Sequence, residues 1–286
     1  MNDDCALACR AYNRVMSIKI TNGEEAFIAF CTPSAKSRAA TYVPSKLMLR
    51  AESWAVQHEG YDLQAYKWAA KDEAAPVRRA YLVHGWESRA AHMSGFVGPL
   101  LRAGFEVIAY DGPAQGSSGG ATTNLVDSAR ALMNVVDKFG PADAVIAHSF
   151  GGLICNFARS KNPMLNKVWK VPKLALLASP SRLTDLSEKV LDDLGAARDL
   201  RAGFYTALHK AAGLPATYFD VETLNLYPSA QCLIIHDETD KFVPLSAAHK
   251  LSEATGGTLK ITKELGHQGV LAARDVLRAA VEFVKA

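Results

Sequence analysis

Residues 147–152 read Ala-His-Ser-Phe-Gly-Gly. A serine among small residues suits a backbone that turns sharply from strand into helix, since such a turn leaves no room for side chains at Ala147, Gly151 and Gly152. The turn also lifts the Ser149 hydroxyl clear of the backbone, where a substrate carbonyl can meet it. Serine is a poor nucleophile near neutral pH unless a base removes its proton as the new bond forms. Of eight histidines, His267 in KELGHQGVL is the best placed, following the last predicted strand and preceding the final helix, with Gly266 and Gly269 leaving space. His58 and His92 lie in exposed-looking polar or helical contexts, His209 in a long helical interval and His249 on a predicted helix, so these are expected at the surface or in packing. An imidazole that takes a proton becomes cationic, and a carboxylate that orients its ring stabilises that charge. The segment QCLIIHDETDKFVP offers two, Asp237 and Asp240. Asp240 lies further past the strand end, just before Phe-Val-Pro turns the chain, and is placed first as the orienting acid; Asp237 is expected to cap or shape the turn. The developing oxyanion needs donors as well. In LVHGWES, Gly85 and Trp86 sit on a loop from which the Trp86 N–H can face the same point as the Phe150 N–H, each donor being worth about 3 kcal/mol in the transition state. The Trp86 side chain is expected to wall an acyl pocket.

These groups need a scaffold that brings strand ends together. From about residue 77 onward, short β-branched runs alternate with stretches of helical period, the pattern of a parallel sheet built from βαβ units. Strands are expected at Arg79 to His84, Phe105 to Asp111, Ala144 to Ser149, Leu174 to Ser179, Cys232 to His236 and Thr258 to Lys263. Met93, Phe96, Val97, Leu100 and Leu101 share one helical face before Gly104, and Leu125, Val126, Ala129, Leu132, Met133 and Val136 share another before Gly140. Between Pro180 and about Ala230 the chain runs through a long helical interval, expected to lie over the sheet as a lid. KLMLRAESWAVQHEGYDLQAYKWA reads as two or three edge strands, and residues 1–45 give mixed signals that assign no element.

The order Ser149, Asp240, His267, each after its own strand and with HGW at 84 to 86 upstream, resembles the α/β-hydrolase family. Four motifs carry the resemblance from about residue 77 to the C-terminus: HGW, YDGPAQGSS at 110 to 118, AHSFGG at 147 to 152, and HDETDKFVP with GHQG. The resemblance implies the α/β-hydrolase fold: a mostly parallel, eight-stranded twisted sheet with helices on both faces and a small helical cap inserted after the sixth strand. It maps nucleophile, acid and base to Ser149, Asp240 and His267, and the oxyanion N–H groups to Trp86 and Phe150. The core is accordingly assigned to residues 1–180 and 231–286, with 1–45 an N-terminal extension, and the cap to 181–230. Two positions depart from the pattern. Ala147 replaces the first glycine of G-x-S-x-G, and Gln115-Gly116-Ser117-Ser118 stands where H-G-x-S is frequent; Asp111 and Gln115 are read as structural.

Composition narrows the alternatives. A chain of 286 residues with 49% hydrophobic and 21% charged residues suits one sizeable α/β domain or a domain with an insertion. The net charge of +3, with Lys and Arg scattered, argues against nucleic acid. No apolar run approaches a bilayer span, and Asp3 and Asp4 stand where a secretion signal would be basic, so a cytoplasmic protein is expected. Cys5, Cys9, Cys31, Cys155 and Cys232 lack metal spacing, and Cys155 and Cys232 are expected as buried thiols. His84, His148 and His236 abut strand ends and are read as structural; no pair shows ligand spacing, so no metal or cofactor is expected. GSSGG at 116 to 120 lacks the lysine of a phosphate loop. DLSEKVLDD is read as a solvated helix with Leu186, Val190 and Leu191 turned inward, and Glu87 is open between substrate and water. The expected function is a cofactor-free serine hydrolase cleaving a small-molecule ester or thioester with an apolar acyl group through an acyl-enzyme. A non-catalytic small-ligand receptor, or an amide or C–C bond hydrolase, remain as alternatives.

Overall fold

Of the segment at 1–45, residues 20–34 belong to those described by the computed structural model, which covers 20–34, 45–70, 77–227 and 230–286. There the chain forms a helix, α1 (Gly23–Phe30), whose N-cap Asn22 accepts the Glu25 N–H. Cys5, Cys9, Asp3 and Asp4 lie outside the described residues. The next element of KLMLR is a single 3-10 turn, Met48–Arg50, and not a strand. Its entry is held by the Trp68 indole, which donates to the Leu47 carbonyl at 2.9 Å. The expected edge strands are therefore two, β1 (Glu52–His58) and β2 (Tyr61–Trp68), an antiparallel hairpin. Glu59 and Gly60 both take positive φ (45° and 86°), the handedness a two-residue turn needs to match strand twist.

The remaining strands are β3 (Arg78–Val83), β4 (Phe105–Tyr110), β5 (Ala144–His148), β6 (Lys173–Leu177), β7 (Gln231–Asp237) and β8 (Thr258–Thr262), each bound lying within two residues of where the apolar runs put it. They complete one eight-stranded sheet in the order β1-β2-β4-β3-β5-β6-β7-β8. Strands β3 to β8 are mutually parallel, and β2 runs antiparallel to β4. Alternation along β3 sends Tyr81 and Val83 to one core and Ala80 and Leu82 to the other, so both faces are covered.

One face carries the second expected helix, α3 (Leu125–Phe139), and α4 (Phe150–Ala158). The other carries a 3-10 helix (Ala90–Phe96), α2 (Val97–Arg102) and the C-terminal α8 (Arg274–Lys285). The apolar face at Met93 to Leu101 thus spans a 3-10 segment joined to a short α-helix instead of one continuous helix. Met93, Phe96, Val97 and Leu100 are fully buried all the same. The order in which strands are added reverses at β3, since β4 lies on one side of β3 and β5 on the other. The crevice beyond their carboxyl ends is where open α/β sheets bind ligands.

Between β6 and β7 come α5 (Leu183–Asp193), α6 (Arg198–Ala212) and a 3-10 turn (Ala216–Phe219); α7 (Leu245–Thr255) follows β7. Leu191 is buried while Leu186 and Val190 are half-buried, and Arg201 bridges from α6 to Glu188 and Asp192 on α5. Helix α1 crosses α6 with backbones in contact, because a Cβ at Gly23 would lie 2.1 Å from the Phe204 nitrogen and one at Gly203 3.1 Å from the Gly23 Cα. Gly203→Leu is therefore expected to destabilise by about 2 kcal/mol through overpacking. Thermal unfolding checks this, and an unchanged midpoint would mean that α1 and α6 do not pack so closely.

Candidate active site

The site is built first from the turn after β5. Ser149 has φ 52° and ψ −126°, a left-handed conformation costing a non-glycine residue about 1–3 kcal/mol. The surroundings hold it there, with the Ser149 N–H donating to Leu177 O at 2.9 Å and the Gly152 N–H to Ser149 O at 2.8 Å. Side chains are excluded at the two glycines that follow. A Cβ on Gly151 would lie 2.5 Å from Val83 O, and one on Gly152 2.2 Å from Ser179 Oγ. Ala147, in place of a glycine, fits fully buried in the strand.

After β8 a single helical turn (Gly266–Gly269) presents His267. Ser149 Oγ lies 3.0 Å from His267 Nε2, and His267 Nδ1 lies 2.7 Å from Asp240 Oδ2. The chain reads Ser149 O–H to Nε2 and Nδ1–H to carboxylate, which requires the Nδ1-protonated ring. The Asp240 side chain is wholly buried, and its Oδ1 accepts the Phe242 and Val243 N–H groups at 2.8 and 3.0 Å. Burial alone would raise its pKa. The hydrogen bond and charge of His267 and the two amides outweigh that, holding the carboxyl below its usual range.

Asp237 does more than shape its own turn. It accepts the Thr239, Leu265 and Gly266 N–H groups and the Thr239 and Thr262 hydroxyls, so it also ties down the loop that bears His267. Burial opposes its charge, but these donors win and bring its pKa to about 2. The folded value lies below the unfolded one of about 4, so this stabilisation is complete above pH ~4 and is lost as pH falls through about 2. Asp237→Asn is expected to flatten that acid limb of the stability curve and to lower stability at neutral pH. Urea unfolding of both proteins between pH 2 and 7 checks it; parallel curves would refute it.

On the opposite side of Ser149 lies the loop after β3. His84 anchors it, donating from Nδ1 to Gly85 O at 2.7 Å and accepting the Gly112 N–H at Nε2 at 2.8 Å. Burial lowers the His84 pKa to about 4, which keeps the ring neutral as this bonding requires. A Cβ on Gly85 would come 2.9 Å from Ser149 Cβ, so the loop passes directly over the serine. Trp86 meets the Phe150 ring edge-on at 5.5 Å. The Phe150 N–H opens α4 and has no carbonyl of its own helix to bond. Asp111 accepts the Ala90 and Ser117 N–H groups at 2.8 Å, fastening the neighbouring loops, and Gln115 is buried beside Gly112.

His148 and His236, read as structural from their places at strand ends, each hold a loop of the site. His148 Nε2 donates to His267 O at 2.9 Å, and burial followed by the nearby His267 brings its pKa to about 3. His236 Nε2 donates to Val243 O at 2.9 Å, behind Asp240. Only their places at strand ends gave a sequence signal. His58 proves to be a packing histidine, buried between Asp127 and Asn134 at 2.9 Å from each, because α3 covers it. Glu87 lines the cavity and accepts the Ser34 N–H at 2.6 Å. Cys31, Cys155 and Cys232 are buried. Among the described residues no cluster of three metal-ligating side chains occurs, and no helix is long and apolar enough to cross a membrane.

Ser149 and His267 border a cavity of about 460 Å³. Trp86, Phe150, Leu183, Leu208 and Phe219 give it a predominantly apolar wall, and α5 and α6 contribute part of it. A sequence model of the alpha/beta hydrolase family matches residues 80–280. No curated protein matches the sequence. Among solved structures, an esterase of Pyrococcus furiosus superposes with a TM-score of 0.62 at 18% identity, covering 89% of this chain and 97% of that one. Est1E of Butyrivibrio proteoclasticus, with ferulic acid bound, gives 0.60 at 19%, covering 81% and 96%. The enol-lactonase of Burkholderia xenovorans LB400 gives 0.59 at 13%, covering 82% and 100%. These likenesses are of fold. Because the family match runs through more than half of the chain, over the sheet and loops just described, this chain belongs to the alpha/beta hydrolase family.

Proposed function

We propose that the chain is a serine hydrolase, needing no cofactor, that cleaves a small-molecule ester or thioester with an apolar acyl group. The observation that carries this reading is the continuous hydrogen-bond chain from Ser149 through His267 to buried Asp240 at the edge of an apolar cavity. His267 takes the hydroxyl proton at Nε2 as Ser149 Oγ attacks the carbonyl, and Asp240 holds the ring and balances its charge. The Trp86 and Phe150 N–H groups receive the oxyanion, at about 3 kcal/mol each. His267 then protonates the leaving oxygen or sulfur, and the acyl group stays on Ser149. Water, deprotonated by the same imidazole, releases the acid and restores the hydroxyl. The apolar walls suit the acyl part, and the named esterases and enol-lactonase that share the fold support an ester bond.

A fluorophosphonate probe with mass-spectrometric mapping tests the nucleophile, and a panel of chromogenic esters, thioesters and anilides tests the bond. Labelling is expected at Ser149 alone, at one probe per chain, with turnover of esters or thioesters exceeding that of anilides. Equal labelling of the Ser149→Ala variant would refute the assignment. Binding of apolar ligands without turnover of any panel member would leave a receptor on this fold, and turnover confined to anilides an amide hydrolase.

A further inference from the structure

The family match starts at residue 80, yet part of the cavity wall comes from far upstream. Phe27, Ala29 and Phe30 of α1 line the cavity, with Thr32 just beyond the helix. The segment is fastened along its length. Gly23 seats its start on α6, the Cys31 carbonyl accepts the Thr123 N–H at 2.8 Å, and the Ser34 N–H donates to Glu87 at 2.6 Å. Glu87 adjoins Trp86, so the segment's end is tied to the loop bearing a proposed oxyanion donor. Phe27 and Phe30 stand edge-on to the fully buried Phe204, with centroids 5.8 and 5.5 Å away. Helix, aromatic contacts and ties together fix the wall in place. A fixed apolar wall discriminates between acyl chains, since each methylene that gains or loses a contact changes transition-state binding.

We propose that residues 20–34 form a strap that selects the acyl group, with Phe30 and Ala29 determining how much of the cavity is open to it. The proposal rests on the hydrolase reading above. Phe30 occupies space that a longer chain would use, and the small Ala29 leaves space that a larger residue would close.

The test compares wild type, Phe30→Ala and Ala29→Phe on p-nitrophenyl acetate, butyrate, hexanoate, octanoate and decanoate, with thermal unfolding of each protein. The ratio of long-chain to short-chain kcat/KM is expected to rise about tenfold in Phe30→Ala and to fall about tenfold in Ala29→Phe, the change residing mainly in KM. Opposite displacements are something a merely structural role does not produce. Active variants that keep the wild-type profile, or that lose all chain lengths in parallel, would overturn the strap as selector and leave the hydrolase reading standing. A wild type that cleaves none of these esters while the fluorophosphonate fails to label Ser149 would remove that reading, and the strap proposal with it.

Discussion

Ester turnover by Ser149→Ala is expected to fall on the order of 10⁴-fold or more in kcat, with the fold intact. On the proposed mechanism the variant keeps His267, Asp240 and the two proposed backbone donors but has no oxygen to form an acyl-enzyme. What remains is the capacity of the donors to stabilise direct attack by water, a small residual rate above buffer. The structural cost is modest, because the hydroxyl makes one neutral hydrogen bond, worth about 1 kcal/mol. The backbone at φ 52° stays as demanding for alanine as for serine, so removing the hydroxyl relieves no strain there. Initial rates on the best chromogenic ester, read beside the thermal midpoint, check both halves. A folded variant with kcat within about tenfold of wild type would take Ser149 out of the chemistry.

The parallel strands were legible because burial on both faces demands near-continuous apolar runs, which LALL and CLII supply. The loops after β5, β7 and β8 were legible for a related reason. Open α/β sheets place their sites at the carboxyl ends of the strands, so a serine, a carboxylate and an imidazole at three such ends stood out, and the structure brings Ser149 and Asp240 each within hydrogen-bond reach of His267. Helix α1 was not legible. Its apolar residues answer to α6 and to the cavity, partners remote in sequence, and its short run GEEAFIAF carries little periodicity of its own. Residues 90–102 misled in a different way, since burial fixed Met93, Phe96, Val97 and Leu100 correctly while hydrogen bonding divided the segment into a 3-10 and an α-helical part. The loop anchors at His84, His148 and His236 bond to backbone carbonyls, and a sequence records no preference for which carbonyl a side chain will meet. The same holds for Asp237, whose donors come from its own turn and from residues 262–266 across β8.

That division of labour between the two aspartates leads to the sharper expectation for Asp240→Asn. Oδ1 of Asp240 receives two backbone N–H groups, from Phe242 and Val243, while Oδ2 receives His267. An asparagine must keep its carbonyl oxygen toward the two amides, because turning an NH₂ onto them would leave buried donors unsatisfied at about 1–3 kcal/mol each. Its NH₂ then faces His267 Nδ1, which has to accept instead of donate. The imidazole proton moves to Nε2, where it points at Ser149 and the ring can no longer take the hydroxyl proton. A kcat loss of roughly 10⁴-fold at neutral pH is therefore expected. Asp240→Ala is expected to lose less, since the proton on His267 stays free to choose either nitrogen. The charge has a stability signature as well. The native carboxyl sits below its usual range, so its contribution is present above the unfolded pKa of about 4 and is lost as pH drops through the lowered value, a dependence the asparagine variant should lack. Kinetics and acid unfolding on the three proteins separate the two effects. Should Asp240→Asn retain kcat within about tenfold of wild type, another acceptor would have to be orienting His267; Asp237 is poorly suited to that task, because its oxygens already serve the Thr239, Thr262, Leu265 and Gly266 donors.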